Sequence, residues 1–170
     1  MRGLQVVVRA CGVIALLWAA SAGADNVQMA SVTPYAEDAD ISAKVRTECV
    51  KLPTQLPAYT REFGAASSQE ITLVDQVSAD MPGRVLIVEI ADAVSMGNAF
   101  IGHQKYSKVK GKLYQDGELI GSFSGRRNSM GGFGAGYKGS CSVLGRTIKA
   151  LGKDIAAWLK NPSEGSSIGD

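Results

Sequence analysis

The dipeptide Asp116–Gly117 limits this chain more than any other feature, because it joins two segments that both read as strands. One runs from His103 to Tyr114 and the other is "ELIGSFSGRR". Asp and Gly tolerate the positive φ of a two-residue turn, so the pattern predicts a β-hairpin and commits the chain to an antiparallel sheet. Further strands are expected from Val27 to Thr33, in "ITLVDQ" and in "RVLIVEIADA", with "SADMPGR" as the turn between the last two. Two helices flank this series. Leu52, Leu56, Tyr59 and Phe63 share one helical face, with Pro53 and Pro57 near the first turns, which predicts a helix from Pro53 to Ala66. Leu144, Ile148, Leu151, Ile155 and Trp158 predict a second helix, capped by Ser140 or Ser142 and stopped by Pro162. Residues 36–49 fit helix or strand equally well. The expected fold is α+β: a mainly antiparallel sheet of about five strands with two helices packed on one face.

The N-terminus has the layout of a signal peptide. Arg2 and Arg9 precede an apolar run from Ala10 to Ala20, followed by small residues and Asp25. Cleavage is expected after Ala22 or Ala24. The apolar run falls short of the roughly 20 residues needed to span a bilayer, and Cys11 lies too early in it to be a lipidation site. Residues 25–162 then read as a single domain and 163–170 as a flexible tail, with no transmembrane segment after residue 24. The protein is expected in the periplasm or outside the cell. Cys49 and Cys141 are the cysteines beyond residue 24, and an even pair in an oxidising compartment predicts one disulfide. No CxxC redox motif is present.

Charge is unevenly distributed. Residues 25–80 hold four basic and nine acidic side chains, whereas residues 81–170 hold twelve and seven. Along the strand after His103, Tyr106, Lys108, Lys110, Lys112 and Tyr114 alternate onto one face. Lysines placed this way protect a sheet edge from unwanted pairing, or they form a contact face for acidic head groups, a polyanion or a partner protein.

Gly134, Gly136 and Gly139 within "GGFGAGYKG" spell G-x-G-x-x-G. A dinucleotide site needs a further parallel strand after the helix, and none is expected, because twelve residues follow Trp158 and they begin Leu-Lys-Asn-Pro. The stretch is therefore expected to be a connecting loop, with anion binding by Arg126, Arg127, Lys138 and the helix N-terminus as an alternative. No nucleotide or other cofactor and no nucleic-acid partner is expected. His103 is the sole histidine, so no histidine-rich metal site can form, and Glu37, Asp38 and Asp40 lack the spacing of a calcium loop. A hydrolase would have to use His103, without a G-x-S-x-G motif to support it.

The stretches "VRTECVKLP", "RVLIVEI" and "YKGSCSVLGRTIKALGKDIAAWLKNP" together resemble a group of uncharacterised proteins exported by proteobacteria. The resemblance covers most of the chain after residue 24 and brings no assigned activity. The layout of signal peptide, "GELIGSF" hairpin and final amphipathic helix is similar to small envelope proteins with a domain like that of the curli-secretion lipoprotein. It departs from them in lacking a lipidation cysteine. The expected role is non-enzymatic binding of an envelope protein or an anionic envelope component, the alternatives being a periplasmic hydrolase using His103 and a binder of anions or glycans.

Overall fold

A computed structural model of the protein describes residues 26–98, 102–129 and 139–169, with the backbone alone described at 96–98 and 102–104. The elements in chain order are β1 (Val27–Ala30), α1 (Ala43–Glu48), α2 (Leu52–Ala65), β2 (Ile71–Val74), β3 (Arg84–Asn98), β4 (Gly102–Gln115), β5 (Glu118–Asn128), α3 (Ser140–Trp158) and β6 (Ser166–Gly169). The signal-peptide segment and the glycine-rich stretch up to Lys138 lie outside the described residues.

The six strands form one sheet in the order β2-β1-β3-β4-β5-β6. Its centre is the antiparallel ladder β3–β4–β5, and the pairs β1–β2, β1–β3 and β5–β6 are parallel. The expected mixture of α and β is therefore observed, with antiparallel pairing at the heart of the sheet. The hairpin between β4 and β5 turns on Asp116 (φ 50°) and Gly117 (φ 90°), the two consecutive positive angles of a type I′ turn. Asp116 also accepts a 2.7 Å hydrogen bond from the Gly83 N–H, which ties the turn to the start of β3.

Residues 36–49, which fit either pattern, contain the short helix α1, whose Ser42 side chain accepts from the Val45 N–H at 3.3 Å. α2 matches the expected helix, with proline in its first turn. α3 forms where expected, but Ser140 is its first residue and not its cap: its N-cap is Gly139 and no side chain caps it, so the serine cap does not form. The expected fraying of 163–170, and the expectation that no parallel strand follows the last helix, also differ from the structure. Ser166–Gly169 pairs with β5, Ser166 accepts from the Trp158 indole at 3.0 Å, and Ile168 packs on the core.

All the core side chains of α2 and α3 meet one face of the sheet. Leu56 from α2, Leu144, Ile148, Leu151 and Ile155 from α3, and Leu86, Ile90, Val109 and Leu113 from β3 and β4 are fully buried. α2 and α3 run side by side in the same direction. Gly152 makes this possible: a Cβ there would lie 2.8 Å from Tyr59 Cβ and 3.0 Å from the Thr60 nitrogen. The Cys49–Cys141 disulfide forms, with Cα atoms 5.1 Å apart, and joins the α1–α2 junction to the first turn of α3.

Handedness fixes what happens on the other face. β1 reaches β2 through α1 and α2, and β2 must then cross back over β1 to reach β3. Right-handed parallel crossovers in opposite directions lie on opposite faces, so residues 75–83 pass over the side away from the helices. Gln28, which points away from its buried neighbours Val27 and Met29, confirms this by donating to the Pro82 carbonyl at 2.9 Å. That loop covers the β1 end of the face, and among the described residues no helix covers β3–β5 on this side.

Candidate functional site

The uncovered face is built by strand alternation and register. β4 presents Tyr106, Lys108, Lys110, Lys112 and Tyr114, opposite Val94, Asp92, Glu89, Ile87 and Val85 of β3. From β5 come Asn128, Arg126, Ser124 and Ser122, opposite Tyr106, Lys108, Lys110 and Lys112. A bulge between Ile90 and Asp92 keeps both carboxylates on this face although they are three residues apart. β4 has a partner on each side, so its lysines guard no edge; the reading of the row as edge protection is overturned by the strand order.

Register gives two of these lysines carboxylate partners. Lys110 Nζ lies 3.1 Å from Asp38 and 3.5 Å from Glu89, and Lys108 Nζ lies 3.9 Å from Asp92. Donation from Lys110 holds the Asp38 carboxyl below its usual range, and the same hydrogen bond raises Lys110. Tyr106 donates to Asp92 at 2.9 Å, and burial first, then this bond, raises its phenol. The Arg126 guanidinium stacks over the Tyr106 ring at 4.3 Å, with Lys108 Nζ at 5.4 Å from the same ring. Lys112 forms no ion pair among the described residues. Between these groups lies a hollow of about 420 Å³ lined by Ile87, Glu89, Lys110, Lys112, Tyr114 and Ser122. Its size falls within the roughly 300–1,000 Å³ of small-molecule sites, and its lining mixes ammonium, carboxylate, hydroxyl and aromatic groups.

Arg126 and Arg127 are adjacent in sequence and opposite in space. Arg126 joins the lysine row, whereas Arg127 crosses to the helix side and grips Asp154 of α3 in a bidentate pair at 2.8 and 2.9 Å. The two arginines therefore do not converge on the N-terminus of α3. Lys138, the third member of that proposed anion site, lies outside the described residues, as does the side chain of His103, whose backbone pairs with Gly97. Among the described residues no three His, Cys, Asp or Glu side chains gather as a metal would require.

Residue-by-residue reading missed the counter-charges Asp38, Glu89 and Asp92, because nothing in the sequence states which strand residues lie opposite one another. It also passed over Arg146, Lys149 and Lys153 on α3 and Lys160 in the turn after it. Their steps of three, four and seven are a helical signal as legible as the apolar one.

No family model matches the chain, and no curated relative matches it in sequence. Among solved structures, the PelC dodecamer from Paraburkholderia phytofirmans is similar at a TM-score of 0.48 and 13% identity, covering 76% of this chain and 86% of that one. A minor lipoprotein from Acinetobacter baumannii is similar at 0.41 and 13% identity, covering 80% and 92%. Each is a likeness in layout.

Proposed function

We propose that this chain is an exported, non-enzymatic binding protein of the cell envelope that holds its partner on the uncovered face of β3–β5. The observation that carries the reading is the division of the sheet. The described helices pack on one side, and the other side presents Tyr106, Lys108 and Arg126 in one field with Lys110, Lys112 and Tyr114, which line a hollow. Alternating charges at fixed strand positions suit orientation and specificity in recognition more than raw affinity. Export is supported by the N-terminal layout of the sequence and by the disulfide, which persists in oxidising compartments. The partner is an envelope protein or an anionic envelope component.

Photocrosslinking in intact cells tests this reading. A crosslinking residue replacing Ser124 or Lys112 on the open face is expected to capture a discrete product, and one replacing Thr54 on the exposed side of α2 is not. Capture from Thr54 alone, or from none of the three, would sink the proposal.

A further inference from the structure

The helix layer carries a second charged surface, unrelated to the open face. Arg146, Lys149 and Lys153 of α3, with Lys160 in the turn that follows, are all exposed. At 3.6 residues per turn they fall within about 60° around the axis and extend along about 21 Å. The remaining exposed positions of α3, Ser142 and Ala157, are small, so nothing interrupts the line. Unlike Lys108 and Lys110, none of the four forms an ion pair among the described residues. Lys149 instead lies over the rings of Tyr59 and Phe63, at 5.2 and 5.8 Å, in the seam between the two helices.

Beyond the contact of Lys149 with the two rings, the mutual placement of these cations works against the helix. Like charges three and four residues apart on a helix repel, and Arg146 sits toward the N-terminal end, where the helix dipole disfavours a cation. The imbalance extends over the whole layer. Residues 43–65 and 140–160 hold eight basic and three acidic side chains, and one of the three, Asp154, is taken by Arg127. The rest of the chain from residue 25 holds eight basic and thirteen acidic. The helix segments thus carry a surplus of five positive charges, while the rest of the chain from residue 25 carries a surplus of five negative ones.

We infer that this side of the protein docks on an anionic phospholipid surface. The four cations stand exposed within one sector of the α3 surface and the turn after it, so a plane of phosphates can meet all four at once. The apolar sides of α2 and α3 are spent on the core, and among the described residues no helix is long and apolar enough to cross a membrane. Attachment is therefore peripheral and electrostatic, and salt releases it. The positive surplus of the helix layer orients the molecule, helices toward the lipid and the open face of β3–β5 away from it.

Vesicle flotation of the full, disulfide-bonded protein is the test. Binding is expected to phosphatidylcholine vesicles containing phosphatidylglycerol, not to phosphatidylcholine alone, and to fall as salt rises. Each basic residue near such a surface strengthens partitioning about fivefold. The triple variant Arg146→Gln, Lys153→Gln, Lys160→Gln should therefore bind about a hundredfold more weakly. The open-face pair Lys108→Gln, Lys112→Gln should bind vesicles as the parent does, so the outcome is independent of the partner reading above. Circular dichroism and an intact disulfide establish that each variant is folded. Failure to bind anionic vesicles, retention of binding by the folded triple variant, or equal loss in the open-face pair overturns the inference. Capture of a soluble acidic polysaccharide or an acidic protein without vesicle binding would assign the stripe to that occupant and overturn it as well.

Discussion

Single residues are where this fold is least forgiving. At Gly152 the backbones of α2 and α3 approach so closely that an added Cβ has only Tyr59 Cβ and the Thr60 backbone to move against. Gly152→Val is therefore expected to lower stability by roughly 1–3 kcal/mol, the usual cost of overpacking, in chemical denaturation. An unchanged midpoint would show that the helices can separate freely. Asp116 makes a prediction in pH. The Gln115 amide, and then the Gly83 N–H, hold its carboxyl below the usual range in the folded state. A depressed folded value means that this stabilisation is complete above the ordinary aspartate pKa, near 3.9, and is lost as pH falls through the lower one. The Asp116 carboxyl should thus titrate below a free aspartate by NMR, and Asp116→Asn should flatten the acid side of the stability curve. A midpoint at or above the ordinary value would contradict the geometry. The turn at Asp116 was legible from two letters. The contacts of Gly152 were not, because a glycine in a helical pattern carries no sign of what lies across from it.

At the level of elements, periodicity and turn chemistry were readable wherever the segment's own pattern was strong. The hairpin, α2 and α3 are local solutions: alternation around Asp-Gly, and apolar steps of three and four, each dictate one geometry. β6 escaped notice because "SSIG" is short and polar, and only pairing with β5 and the packing of Ile168 make it a strand. The disulfide belongs to this scale. It closes a separation of 92 residues and joins the two helices that form the layer opposite the open face. Replacing Cys49 and Cys141 with serine should lower stability by roughly 2–5 kcal/mol, measured by denaturation of the two forms side by side. A loss close to zero would mean that the packing of α2 on α3 holds the junction without it. The candidate site was legible in the same partial way. Alternation put Tyr106, Lys108, Lys110 and Lys112 on one face, and it also separates Arg126 from Arg127, which reading them as a pair had concealed.

Across the whole molecule, what matters is which residues far apart in sequence become neighbours. The sequence by itself determined the secondary structure of the strong segments, the α+β class, the hairpin and the pairing of Cys49 with Cys141, since each follows from short-range periodicity, turn geometry or simple counting. Only the tertiary structure decided that β1 pairs in parallel with both β2 and β3, that β4 lies in the interior of the sheet, and that Lys110 meets Asp38 across 72 positions. It also decided that the described helices pack on one side of the sheet and that the other side sets Lys108, Lys110, Lys112 and Arg126 beside Asp38, Glu89 and Asp92. The reason is physical. Backbone periodicity is set by each residue's own dihedral preferences, but register, strand order and the facing of charges depend on burying one common core, a condition that no segment satisfies alone.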